Sequence, residues 1–155
     1  MDTYLLVKSL HILSAIVLFG TGLGSAFYKY MADRQADPVP LAMTNRHVIL
    51  ADWWFTTPTI IIQPLTGFWL MHRLGLDLDT AWIRASLLLY VIAGVCWVPV
   101  VYLQIRMHAL ARHAAETQTP LPADYRRQAR IWFWLGVPAF ASMLGIVLLM
   151  VFKPT

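Results

Sequence analysis

The chain of 155 residues has one cysteine and few charges, and each shortage removes a class of protein. Cys96 alone cannot build an intrachain disulfide framework or a multi-cysteine metal site. Its neighbours Val95, Trp97 and Val98 make it small core filler rather than a reactive thiol. Charged residues make up 13% of the chain, against roughly 25% in soluble domains, too few to cover a water-soluble surface. There is no HExxH or CxxC motif, no Ser/His/Asp arrangement and no paired-carboxylate hydrolase site. Gly20, Gly22 and Gly24 follow no strand and lie in an apolar run, which excludes a phosphate-binding fingerprint. The net charge of +4 is the kind of excess that marks the cytoplasmic loops of membrane proteins, so no nucleic-acid partner is expected.

What the chain does have is apolar length. Hydrophobic residues make up 59% of it, at a mean hydropathy of +0.60. Four segments are long and apolar enough to span, at about Tyr4–Tyr28, Val48–Met71, Ile83–Gln104 and Ile131–Phe152. A helix needs about 20 residues to cross ~30 Å of hydrocarbon. Continuous rather than alternating apolar runs exclude strands, and four strands cannot close a barrel. The expectation is an all-α, four-transmembrane-helix bundle in a lipid bilayer, one domain over residues 1–155. The first segment lacks a basic start and is too long for a signal-peptide core. Asp37-Pro38-Val39-Pro40 and Gly75-Leu76-Asp77 punctuate the chain, and Arg106–Arg130 reads as a polar stretch around Thr119-Pro120-Leu121-Pro122. Pro58, Pro64, Pro99 and Pro138 fall inside spans, where they kink helices.

Basic residues set the orientation. Lys29, Arg34, Arg46, Arg106, Arg112, Arg126, Arg127 and Arg130 gather on the side of the first and third connections, against Lys8, Arg73, Arg84 and Lys153 opposite. The excess points to the cytoplasm, in a bacterial inner membrane with both termini periplasmic. Trp53, Trp54, Trp82, Trp132 and Trp134 lie near span ends, as an aromatic belt requires.

His11 is the most informative polar residue. It lies about two turns into the first span, ~10 Å deep, where an ionisable group needs a partner or a ligand. It reads either as a neutral histidine bonded to a neighbouring helix or as an axial ligand to haem iron. His72, His47 and Met143 are the candidates for a second ligand, with Lys8 close by; His72 is nearly at the interface and Met143 nearer the level of His11. His108 and His113 read as interfacial. Gln63 is near mid-membrane and should hydrogen-bond a neighbouring helix or a ligand. Asp52 is expected to pair with Arg46 or Arg106, and Thr57 to satisfy backbone near Pro58. Gly20, Gly22 and Gly24 suit close helix packing or leave room for a flat macrocycle.

Val7-Lys8-Ser9-Leu10-His11-Ile12, with glycine nine residues on, resembles the first helix of the HemJ-type protoporphyrinogen oxidases, and CopD-like membrane proteins share related features. Thr57-Pro58 with Gly67-Phe68-Trp69-Leu70, Trp82, and the ending Val151-Phe152-Lys153-Pro154 are similar to the HemJ pattern. Ala51-Asp52-Trp53-Trp54-Phe55-Thr56-Thr57-Pro58, Gln63-Pro64-Leu65-Thr66-Gly67 and Trp97-Val98-Pro99-Val100-Val101 resemble a bacterial family described as predicted integral membrane proteins. The HemJ resemblance implies haem b, with His11 and Lys8 matching that family's first-helix histidine and lysine. Ser86 and Trp97 stand where that family has a lysine and a histidine, which sets the oxidase reaction apart from haem binding. The expectation is a haem b redox protein exchanging electrons with quinone or another membrane redox protein. The alternatives are a HemJ-like oxidase, or a non-enzymatic subunit or copper transporter using Met71, Met107 and Met143. A homo-oligomer is left open.

Overall fold

The computed structural model describes residues 2–154. Its elements are α1 (Thr3–Gln35), α2 (Pro38–Ala51), a π-helical turn (Asp52–Thr56), α3 (Thr57–Arg73), α4 (Ala81–Thr117) and α5 (Ala123–Phe152). No strand occurs among the described residues. The Asp2 carboxylate accepts from Tyr4 N–H at 3.0 Å to start α1, and Asp37 does the same for Val39 N–H at the start of α2. Ala36 (φ 56°) and Gln118 (φ 53°) end α1 and α4 in left-handed backbone. Since α2, the π-turn and α3 follow without a gap, the chain forms four rods joined by short connections, an all-α bundle.

Helices α1, α4 and α5 are each long and apolar enough to cross a membrane. Their apolar residues face outward; Leu13, Ile16, Val95 and Val151 are all exposed. The expected second span falls instead across the π-turn, so its two α-helical pieces, 14 and 17 residues, are each shorter than a crossing. The cause is local. Thr57 N–H reaches back five residues to Asp52 O, and Pro58 just beyond has no N–H to restore the α pattern. The role expected of Thr57 falls to Thr59, whose hydroxyl lies 2.7 Å from Phe55 O and 2.9 Å from Thr56 O.

The polar stretch Arg106–Arg130 is helical except at its centre. Ala109, Ala111, Ala114 and Ala115 favour helix, Arg112 donates to Glu116 one turn on at 2.7 Å, and Met107, Ala111 and Ala114 are buried. The rods therefore continue beyond the apolar segments at the basic end. The main core sits there, where Leu41, Met107, Ala111, Tyr125 and Trp132 pack together. Lys29 is fully buried in it. Its Nζ donates to both Asp33 oxygens at 3.0 and 2.9 Å and lies over the Trp132 and Tyr125 rings, 5.1 and 5.4 Å from their centroids. The Tyr125 hydroxyl donates to Asp33 at 2.7 Å and accepts from Asn45 Nδ2 at 3.1 Å. Side chains from α1, α2 and α5 thus share one network.

At the opposite end the rods part. Helices α4 and α5 lie close together, and a Cβ at Gly145 would come within 2.9 Å of Leu89 Cδ1. Helix α3 packs on α1 but makes no close backbone approach to α4 or α5. Gly20, Gly22 and Gly24 do not serve helix packing within the chain, because nothing lies within 4 Å of a Cβ built at any of them.

Removing one member of a buried ion pair strands the other, whereas replacing both with apolar groups does not. Asp33→Ala is expected to lower stability by about 3 kcal/mol, and the double change Lys29→Met, Asp33→Leu to recover most of the loss. Thermal melts in detergent read this out. A single variant that melts with the wild type would show that the network contributes no stability.

Candidate functional site

His11 lies on the side of α1 that packs against α3, and its Nδ1 is 2.7 Å from Thr66 Oγ1. The Thr66 hydroxyl has one proton, and that proton is used inside its own helix. Thr66 Oγ1 lies 2.6 Å from the Ile62 carbonyl, which can only accept. Thr66 must then accept from His11 Nδ1–H, which fixes the neutral tautomer and leaves the Nε2 lone pair free. Gly67 makes room for the ring: a Cβ there would sit 3.4 Å from His11 Cε1. One turn along, Gln63 Nε2 donates to His11 O at 2.8 Å and Ser14 Oγ at 2.6 Å, and the Ser14 hydroxyl donates to His11 O at 3.0 Å. The imidazole is anchored at ring and backbone.

His11 lines a cavity of about 910 Å³ between α1, α3, α4 and α5, toward the upper end of the range for small-molecule and cofactor pockets. The wall is mostly apolar, with Phe19, Leu87 and Val147 among its residues. Ser86 and Tyr90 spend their hydroxyls on the Trp82 and Ile60 carbonyls. Among the described residues no carboxylate lines the cavity. Lys8 and Lys153 do, each over an aromatic ring, 5.8 Å from the Tyr4 centroid and 5.9 Å from the Trp82 centroid. Neither forms an ion pair among the described residues. The cavity offers an apolar wall, an imidazole with a free nitrogen lone pair and two ammonium groups.

Of the residues singled out in the sequence, Lys8, His11, Gln63 and Met143 lie on this wall. His72 is exposed at the end of α3 and off the wall, and His47 is exposed on α2 at the basic end. The structure does not bring either to His11. For His72 the reason is the depth difference of its terminal position, which the α3 helix does not make up. Met107 is buried in the core at the basic end, away from Met71 and Met143 on the wall, so the three methionines form no common site. His108 is not free at an interface, since its Nδ1 lies 3.1 Å from Ala42 O. Asp52 pairs with neither arginine. It accepts from Thr56 Oγ1 at 2.8 Å, while Arg106 reaches Asp124 at 3.4 Å and Arg46 is exposed.

Thr66, Gly67 and Lys153 belong to the site and were not singled out for it. Thr66-Gly67 in an apolar run is a hydroxyl beside a gap, a signal that points to a partner only once the facing helix is known. Lys153 carried a usable signal, being one of the few cations on the side of Lys8. Among the described residues no group of three or more His, Cys, Asp or Glu side chains is placed to hold a metal ion.

The hydrogen bond to Thr66 makes His11 a fixed Nδ1–H tautomer. Nitrogen NMR of histidine-labelled protein in detergent should report that tautomer in the wild type and a mixture in Thr66→Val. Gly67→Val should displace the ring. An Nε2–H signal for His11 in the wild type would overturn the assignment.

No protein of curated function and no solved structure matches the chain. Residues 5–154 match a family described as predicted integral membrane protein (DUF2269). With nearly its whole length matched and four apolar rods in its structure, the chain belongs to that family of integral membrane proteins.

Proposed function

We propose that the protein binds haem b in the cavity between α1, α3, α4 and α5, where His11 Nε2 would hold the iron, and carries electrons in a bacterial inner membrane. One observation carries this reading. The imidazole has its Nδ1–H committed to Thr66 and an unprotonated Nε2 on the wall of a large apolar cavity. Metal-bound histidines are held in this way, the second ring nitrogen donating to a fixed acceptor that sets tautomer and orientation. The volume and the two lysines fit a flat apolar group with carboxylates at one end.

Haem bound there would supply a one-electron carrier. The chain's own residues divide the remaining work. Thr66 and Gly67 orient the imidazole, and the apolar wall excludes water. Lys8 and Lys153 offer ammonium groups to propionate carboxylates. Met143 is one of three methionines on the wall, with Met71 and Met150, whose thioether could be a second ligand to the iron, and a thioether would raise the potential relative to a second imidazole. Gln63 donates to α1 and so holds the helix rather than the group. Quinone or another membrane redox protein is the natural exchange partner for such a carrier. A HemJ-like oxidase would use the same cavity, but Ser86 supplies no cation where that family has a lysine.

Protein purified from haem-replete cells should show a sharp reduced-minus-oxidised band of a b-type haem. His11→Ala should abolish it, and Met143→Leu should lower the potential while the colour remains. A colourless wild-type preparation would overturn the reading.

The orientation has its own test. With Cys96→Ser as background, a cysteine in place of Ala36 should be shielded from an impermeant thiol reagent in intact cells, and one in place of Asp77 labelled. The reverse pattern would put both termini in the cytoplasm.

A further inference from the structure

At the basic end the acids have partners and several arginines do not. Asp33 is held by Lys29 and Tyr125, Asp124 by Arg106 and Gln128, and Glu116 by Arg112. Asp37 caps the first turn of α2. Arg34, Arg126, Arg127 and Arg130 are exposed, and none of them enters an ion pair among the described residues. The last three fall close together near the start of α5.

The unpaired cations adjoin exposed aromatic rings. Helices α1 and α5 run antiparallel where Phe19 meets Phe140 and Tyr30 meets Phe133. The Tyr30 and Phe133 centroids are 5.9 Å apart, and Phe133 meets Trp134 edge-on at 5.8 Å. All three rings are exposed. Arg34 stands one turn beyond Tyr30 on α1, its guanidinium 5.9 Å from that ring's centroid. Arg130 stands one turn beyond Phe133 on α5, and Arg126 one turn beyond Arg130. Two helices therefore bring cations to the same end of one aromatic ledge.

The order along the helix axis decides what fits. Arg130 and Trp134 are about 6 Å apart along α5 at ~1.5 Å per residue, and the exposed apolar Val137 follows one turn on. A phospholipid has the same order of phosphate, glycerol and acyl chain, and tryptophan and tyrosine settle at its headgroup level. A guanidinium matches a phosphate with two parallel hydrogen bonds. A soluble anion would use the arginines and leave the rings uncovered. A zwitterionic lipid brings an ammonium group that the arginines repel, whereas an anionic lipid brings negative charge alone.

We propose that this ledge binds an anionic glycerophospholipid, with the phosphate at Arg34 and Arg130 and the acyl chains on the apolar face beyond Trp134. Arg126 adds positive charge at the outer edge. Basic sites between membrane helices hold anionic headgroups in this way. None of these residues lines the large cavity, so the site stands whatever that cavity holds.

Thermal melts of the full chain in detergent, titrated with phosphatidylglycerol or phosphatidylcholine, test the proposal. Each variant is read against its own lipid-free melt, so a change in basal stability does not enter. Phosphatidylglycerol should raise the Tm at lower concentration than phosphatidylcholine. Arg34→Gln and Arg130→Gln should each raise the phosphatidylglycerol concentration needed by about five-fold, and Arg130→Lys by less. Arg73→Gln, at the opposite end and equally without an ion pair, should leave it unchanged. Equal responses to the two lipids would overturn the proposal, as would equal losses in the Arg34, Arg130 and Arg73 variants. So would competition by inorganic phosphate at concentrations that leave the melt itself unchanged, since the site would then serve a free anion.

Discussion

The seam between α1 and α3 is made of polar groups facing each other within apolar rods. His11, Ser14, Gln63 and Thr66 satisfy one another or nearby backbone. Inside a membrane no water stands ready to replace those partners, so pulling the seam apart leaves several donors and acceptors unmet. This binds α3 to α1. Helices α4 and α5 are bound to each other by a different device, the close fit that the missing side chain at Gly145 allows against Leu89. Two separately satisfied helix pairs have little reason to close on each other. The large cavity is the space left between them.

Besides the Tyr90 hydroxyl bonded to the Ile60 carbonyl, what keeps the two pairs together is at the basic end. Lys29 and Asp33 from α1, Asn45 from α2 and Tyr125 from α5 form one buried network. Burial lowers the Lys29 ammonium, opposed by Asp33, and pushes the Tyr125 phenol well up, with the negative charge of Asp33 adding to it. These groups lie past the apolar part of α1 and before that of α5. The bundle is therefore fastened beyond the lipid at one end and divided within it at the other. A rod that must serve both ends has to change partners along its length, and the fourth rod does so, packing on α4 as α2 and on α1 as α3.

The apolar runs made the all-helical bundle legible, because an apolar stretch of that length in lipid has no other way to satisfy its backbone. Depth made His11 and Gln63 legible for the same reason: a polar group there needs a partner. The identity of the partner was not legible. Thr66 meets His11 and Ser14 meets Gln63 only because α1 and α3 adopt one rotational setting, and that setting depends on packing across 50 residues of chain. The π-turn was hidden too. Pro58 signals a disturbed helix, but the proline alone does not say whether it produces a kink or an inserted residue. The helical continuation of Arg106–Arg130 was legible only in its alanines, which favour helix, because the charged residues between them hide that preference.

The changed register at the π-turn places two polar sites on one rod at different depths. From Asp52 to Gln63, which touches the backbone of His11, is roughly 16 Å along a helix at ~1.5 Å per residue. At an effective dielectric of ~20, unit charges that far apart interact by about 1 kcal/mol. That is small beside the cost of burying a charge, so each site must rely on its own neighbours, Thr66 beside His11 in one and Thr56 beside Asp52 in the other. It is still enough to shift a proton equilibrium about five-fold. A charge gained or lost in the cavity is therefore felt at Asp52 through the low-dielectric interior alone, without any movement of the helices that separate the two.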